Sequence, residues 1–318
     1  MLLRFFKTWT LPISMMTGVI GYLIFAHVTL LEPTRPFLSN LVAILTPSLI
    51  FAQLLLTFCK ISVRELRPSP WHGWLLLIQL VSTLLIATLL LRIPMTEAYK
   101  SLFEGVMVCL ICPTATAAAV ITGKLGGSAS SLTTYTLLSN LLAATVVPLL
   151  FPLVEPHANL GFFAAFLKIL GKVFPLLLFP FFLAILLRRF LPSVHQFLIG
   201  LKDLAFYLWA FALAIVTGQT VSSLVNSEAT ISMEILIGLG GLLTCAFQFY
   251  WGKRIGTKYH DRISAGQALG QKNTVLAIWM AYTYLNPISS VAPGSYVLWQ
   301  NMFNSWQLWK KSNAHSSL

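Results

Sequence analysis

The residues best placed to do chemistry are Gly270-Gln271-Lys272-Asn273, set in the otherwise apolar run from Ile263 to Leu285. Such a run is long enough to cross a bilayer, which takes about 20 residues at about 1.5 Å rise each. Lys272 lies ten residues from Arg262, roughly 15 Å into the membrane along a helix, and its stem cannot easily reach water from there. An ammonium in lipid is costly, so a lysine at this depth is expected to face a protein interior or a wet cavity and to mark a transport path or ligand site. A second polar interruption is Cys112-Pro113-Thr114-Ala115-Thr116, where proline removes a backbone donor in mid-membrane. Thr114, Thr116, Thr122, Asn273 and Thr274 could line a polar crossing at these two places. For each threonine, capping within its own helix explains the residue equally well.

The elements that must carry these residues follow from composition. Of 318 residues, 57% are hydrophobic and 9% charged, and the mean hydropathy is +0.80. That is an all-α, polytopic membrane protein. The excess of cations, 21 Lys and Arg against 9 Asp and Glu, suits cytoplasmic loops better than a nucleic-acid partner. The expected partners are membrane lipid and a small solute, and the sequence leaves the oligomeric state open. Cys59, Cys109, Cys112 and Cys245 fall in or beside apolar runs and read as small buried hydrophobes. Cys109-x-x-Cys112 also admits a minor reading as a metalloid site.

Ten spans are predicted, at roughly 11–31, 37–58, 71–91, 101–123, 130–153, 172–190, 203–225, 231–252, 263–285 and 291–309. Leu160 to Lys172 is expected to be an interfacial lead-in to the sixth. With the N-terminus inside, 15 cations fall on the cytoplasmic side: Arg4, Lys7, Lys60, Arg64, Arg67, Lys124, Arg188, Arg189, Lys202, Lys253, Arg254, Lys258, Arg262, Lys310 and Lys311. Arg35, Arg92 and Lys100 fall outside and Lys168, Lys172 and Lys272 are unassigned, which favours an even number of spans and cytoplasmic termini, as in a plasma (inner) membrane protein. Ten spans divide into two inverted repeats of five, residues 1–158 and 159–318. Secondary transporters built this way place their sites where corresponding helices are broken. The corresponding helices here are the fourth and ninth, which carry the two polar interruptions. A simple kink at Pro113 is the alternative.

These motifs resemble the bile acid:sodium symporters, part of a wider superfamily with arsenite and auxin carriers. Cys112-Pro113 with Thr116, Val120 and Thr122 is similar to the family's Cys-Pro-Gly-Gly-Thr-Ala-Ser-Asn-Val segment. Gly270-Gln271-Lys272-Asn273-Thr274-Val275-Leu276-Ala277 is similar to its Gly-Met-Gln-Asn-Ser-Gly-Leu-Ala segment. Pro293-Gly294, Trp299-Gln300-Asn301 and Ser305 resemble its last helix, and Thr136, Ser139 and Leu141-Leu142-Ala143 its fifth. The resemblance implies a panel domain of spans 1, 2, 6 and 7 and a core domain of spans 3–5 and 8–10. It also implies that helices 4 and 9 cross in the core, with substrate handled in the cleft between domains and two sodium ions behind the crossing.

Departures from the family pattern change that expectation. The positions that hold the first sodium in the family correspond to Ala118, Ala119, Leu132, Thr136 and Ala268. Sodium needs hard oxygen ligands, and alanine and leucine side chains supply none. For the second sodium, Gln79 keeps one position and Lys272 replaces a glutamine at another. The ammonium can take the place of the ion, satisfying broken-helix carbonyls and the Gln79 amide oxygen. A carrier that does not use sodium is therefore expected. A protonated Lys272 would neutralise helix C-terminal dipoles, whereas a Lys272 that loses its proton in each cycle would make H+ the coupling ion. No other cofactor and no metal is expected.

The leading reading is a secondary transporter of a small organic anion of carboxylate or sulfonate type, with Thr114, Thr116, Asn273 and Thr274 at the substrate or crossover site. A non-transporting sensor or scaffold with the same fold is the alternative, and metalloid oxyanion efflux a minor one. No nucleotide-binding glycine loop, paired metal motif or activated nucleophile is present, so an enzyme is not expected. Gln219 and Thr220 are candidates for the cleft or for interfacial solvation, and His72 and His260 are expected at the surface. Trp71, Trp299, Trp306 and Trp309 fit interface belts or packing.

Overall fold

The computed structural model describes residues 2–61, 66–156, 160–201 and 203–316. Arg64 and Lys202, two cations on which the expected orientation rests, lie outside the described residues, as do the side chains of Arg4 and Lys7. The described residues form helices and turns, with no strand. In chain order the first six helices are α1 (Leu2–His27), α2 (Arg35–Cys59), α3 (Pro70–Arg92), α4 (Glu97–Ile111), α5 (Ala118–Leu125) and α6 (Ala129–Val154). They are followed by α7 (Phe162–Phe190), α8 (Pro192–Gly200), α9 (Leu204–Val225), α10 (Ile231–Lys258), α11 (Arg262–Gly270), α12 (Thr274–Tyr284) and α13 (Val291–Ser316).

Seven helical stretches among the described residues are long and apolar enough to cross a membrane: Thr10–His27, Thr29–Cys59, Pro70–Arg92, Ala129–Val154, Phe162–Phe190, Leu204–Val225 and Ile231–Lys258. The stretches expected as spans four and nine are each two short helices, of 15 and 8 residues and of 9 and 11 residues. A single helix long enough to span cannot be drawn through either. The tenth stretch, α13, is long at 26 residues. Gly294, Ser295, Gln300, Asn301, Asn304 and Ser305 make it too polar to count by hydropathy. The lead-in expected before span six is continuous with it in the 29-residue α7, because neither Gly171 nor Pro175 stops that helix.

Two compact units divide the chain, Met1–Lys60 with Phe179–Glu228, and Ile61–Leu178 with Ala229–Leu318. In the first, α9 packs on α1 and α2. The α1–α9 approach depends on Gly18, where an added Cβ would stand 2.2 Å from Ala214 O. The rings of Phe58 and Phe181 meet edge to face at 5.5 Å. The second unit gathers α3–α6 and α10–α13. Its tightest pairing is α10 with α11, where an added Cβ at Gly252 would come within 2.5 Å of Ala265 O.

His72 is a correction to the surface expectation, since it is 1% exposed. Its Nδ1 accepts the Ser69 N–H at 2.9 Å, a reciprocal cap at the start of α3, and its Nε2 lies 3.2 Å from Ser131 Oγ. The cap consumes the imidazole's polarity, and Trp71, stacked edge to face at 4.0 Å, covers the ring. His260 is exposed, as expected.

Candidate functional site

Proline sets the first break. The residue before a proline is pushed out of the helical region, and Cys112 has φ −54° and ψ 134° at the end of α4. The second break follows Gly270. Gln271 is extended, and α12 restarts with Asn273 as its N-cap, whose Oδ1 accepts the Leu276 N–H at 3.3 Å. The two interruptions pair with each other as a short antiparallel bridge between Thr114 and Lys272. The Ala115 N–H donates to Gln271 O and the Asn273 N–H to Pro113 O, both at 2.9 Å. The backbones of the two broken helices therefore cross and satisfy one another in the interior of the second unit.

Each half-helix that ends at the crossing leaves terminal carbonyls without helical donors, and side chains from other elements supply them. On α4, Gln248 Nε2 donates to Cys109 O at 3.2 Å. Lys272 Nζ donates to Leu110 O at 3.3 Å. Gln79 Nε2 donates to Ile111 O at 2.8 Å and Cys112 O at 3.2 Å. On α11, Thr114 Oγ1 donates to Ala268 O at 2.6 Å and the Tyr296 hydroxyl to Gly270 O at 2.8 Å. The breaks thus exchange caps, Lys272 serving α4 and Thr114 serving α11. The ammonium sits at the negative end of the α4 dipole, where a cation is favoured, and Lys272 is 1% exposed.

Gln79 does not receive the ammonium on its amide oxygen. Its nitrogen is turned to the two α4 carbonyls, so its oxygen faces the other way and accepts the Tyr135 hydroxyl at 3.0 Å. Lys272 and Gln79 therefore cap the same helix end side by side. The backbone N–H of Lys272 donates to Gln300 Oε1 at 2.9 Å.

Ala118, Leu132 and Ala268 are each 0% exposed and meet in one apolar cluster with Trp71, Leu75, Tyr135, Ala265 and Leu269; Ala119 packs against its edge. Thr136 turns its hydroxyl back to Leu132 O at 3.1 Å. The five positions thus offer hydrocarbon and one occupied hydroxyl, not a shell of oxygen ligands. Among the described residues no cluster of His, Cys, Asp or Glu is suited to a metal ion. Cys112 Sγ donates to Asn273 O at 3.0 Å.

Of the expected substrate or crossover residues, Thr114, Asn273 and Thr274 lie at the crossing, and Thr116 is half-buried two residues beyond Thr114. Thr220 Oγ1 is spent on Val216 O in its own helix at 3.0 Å. Sequence reasoning passed over Gln248 and Tyr296, and named Gln300 only within the last-helix motif. The signal for Gln248 was its isolation, like that of Gln79, as an amide in the middle of an apolar helix. Gln267 and Gln271, beside the second break, hold buried polar side-chain atoms with no hydrogen-bond partner among the described residues, as do Asn304 and Thr122.

The Sodium Bile acid symporter family matches the chain over residues 46–227. No curated protein matches the chain. The matched stretch includes the first break and the Ala118, Ala119, Leu132 and Thr136 positions, and ends before the second break. Members of this family are transporters, not enzymes. With over half of its length matched, the chain belongs to the sodium bile acid symporter family and is a multi-pass integral membrane transporter of that type.

Proposed function

We propose that this protein is a sodium-independent secondary carrier of a small organic anion, in which the Lys272 ammonium stands where relatives bind a cation. One observation carries the reading: Lys272 is buried with its Nζ on a terminal carbonyl of α4, while Ala118, Leu132 and Ala268 close into hydrocarbon beside it. A tethered charge occupies the end of α4, and no ion needs to arrive. The substrate carboxylate or sulfonate is met by free helix N-termini and polar groups at the crossing, including Thr114, Thr116, Asn273 and Thr274.

The architecture that goes with this function is ten spans in two inverted repeats, residues 1–158 and 159–318. The fourth span consists of α4 and α5, and the ninth of α11 and α12. Transport proceeds by rocking of a core, spans 3–5 and 8–10, against a panel of spans 1, 2, 6 and 7. The grouping of α3–α6 with α10–α13 in one compact unit supports that division. The termini are cytoplasmic in a plasma membrane. The test is uptake of labelled carboxylates and sulfonates into proteoliposomes, with sodium replaced by potassium. Uptake unchanged by the replacement, and lost in Lys272→Ala, is the expected result; a strict sodium requirement would overturn the proposal.

A further inference from the structure

A second buried ionisable group lies midway along α4, about 12 Å from the crossing at about 1.5 Å rise per residue. Glu104 is 0% exposed. Its Oε2 accepts the Asn286 N–H at 3.1 Å, and its Oε1 has no donor among the described residues. Lys100 lies one helical turn before Glu104 on the same face of α4 and pairs with Glu155 at the end of α6, which brings the Glu155 carboxylate to the neighbourhood of Glu104. The Glu155 and Lys100 side chains are 32% and 23% exposed.

Two ionised carboxylates beside one lysine, one of them fully buried, repel each other, and a lone buried oxygen forfeits its solvation. One proton removes both problems. A neutral Glu104 donates its O–H to the Glu155 carboxylate, keeps the Asn286 N–H on its other oxygen, and leaves Glu155 charged for Lys100. A metal ion fits badly, because the groups around the pair include an N–H and an ammonium, which repel a cation and cannot ligate it. The remaining charges on neighbouring elements are few. Glu97 lies in the first turn of α4, Arg92 ends α3, and Glu234 lies in the first turn of α10, while α12, the Pro287–Ser290 turn and the first turn of α13 carry none.

We propose that Glu104 and Glu155 hold one proton between them at neutral pH and form a proton-binding site of the carrier. This deepens the reading above, on which it rests for its role in transport. Glu155 meets water, takes the proton from it and passes it to Glu104, where it is sheltered. The site is connected to the parts that move. Asn286 opens the Pro287–Ser290 turn into α13, and Gly105, next to Glu104, approaches that turn so closely that an added Cβ would stand 2.7 Å from Ser289 O. Losing the proton places like charges beside one lysine where α4, α6 and the α12–α13 joint meet, and the inner end of the same α4 carries the crossing. A proton can therefore do midway along α4 what a sodium ion does in relatives.

The test is infrared spectroscopy of the full-length protein in lipid, with a neutral-to-alkaline pH titration. At neutral pH a protonated-carboxyl carbonyl band is expected, shifted in D2O and lost at alkaline pH. The band should be lost in Glu104→Gln, whose amide matches the neutral acid in shape, and shifted in Glu155→Gln. Lys272→Met should retain it. Absence of the band in the wild type, or its persistence in Glu104→Gln, would overturn the proposal. The readout needs no substrate. A protein that keeps the band but takes up no organic anion strikes the transport reading alone, and sodium-independent uptake without the band strikes this one alone.

Discussion

Replacing Gln79 by leucine removes three side-chain bonds at the crossing without changing volume much. The amide makes three contacts, to Ile111 O at 2.8 Å, Cys112 O at 3.2 Å and the Tyr135 hydroxyl at 3.0 Å, and the residue is 1% exposed. Side-chain hydrogen bonds within membrane proteins are worth about 0.6 kcal/mol each on average and up to about 1.7. Three of them sum to about 2–5 kcal/mol. The estimate falls toward the upper end here, because the two carbonyls belong to a broken helix and have no donor of their own to return to. Leucine recovers about 1 kcal/mol by adding apolar contact in place of the amide, leaving a net loss of about 2–4 kcal/mol. Tyr135→Phe should cost about 1 kcal/mol, since it orphans only the Gln79 oxygen. In the double variant the two losses should fall short of additivity by about 1 kcal/mol, because the shared bond is counted once. Equilibrium unfolding in mixed SDS micelles, followed by tryptophan fluorescence, measures all three. A Gln79→Leu variant within about 0.5 kcal/mol of wild type, or strict additivity with Tyr135→Phe, would refute the view that Gln79 holds the α4 end.

Lys272→Met should leave stability unchanged or raise it. The desolvation of a buried ammonium costs several kcal/mol, against about 1.5–3 kcal/mol for one charged hydrogen bond and up to about 2 kcal/mol from the helix dipole; the same unfolding assay reads the sign, while anion uptake is lost. Ala268→Glu places a carboxylate in the cluster of Trp71, Leu132 and Tyr135, and should destabilise the protein by at least about 3 kcal/mol with no gain of sodium dependence, because no other oxygen ligands surround it. Thermal unfolding in sodium and potassium salts checks the second part.

Much of the centre was legible because breaking a membrane helix needs particular residues. Pro113 and Gly270-Gln271 announce two interruptions, and Lys272 announces a buried charge, from residue type and depth alone. Local sequence could not say how side chains are shared between the breaks. Nothing near Gln79 shows that its nitrogen rather than its oxygen faces α4, since that follows from two carbonyls 32 and 33 residues away. The burial of His72 escaped for the same reason, since its polarity is consumed by Ser69 and Ser131 and its ring is covered by Trp71. Glu104 lies only eight residues from Cys112 and reads from sequence as the wet end of a helix. Its burial depends on Asn286 and Glu155, which the fold brings up from two distant segments.

The central claim is that hydrocarbon and a tethered ammonium have replaced the sodium sites. A ligand that binds only the folded protein stabilises it in proportion to the logarithm of its concentration above Kd. Thermal unfolding of the purified wild-type protein, titrated in parallel with sodium chloride and potassium chloride at matched ionic strength, therefore tests the claim without a substrate. Superimposable curves are predicted at every salt concentration. A rise in Tm that is specific to sodium, and saturates as an occupied site would, contradicts it.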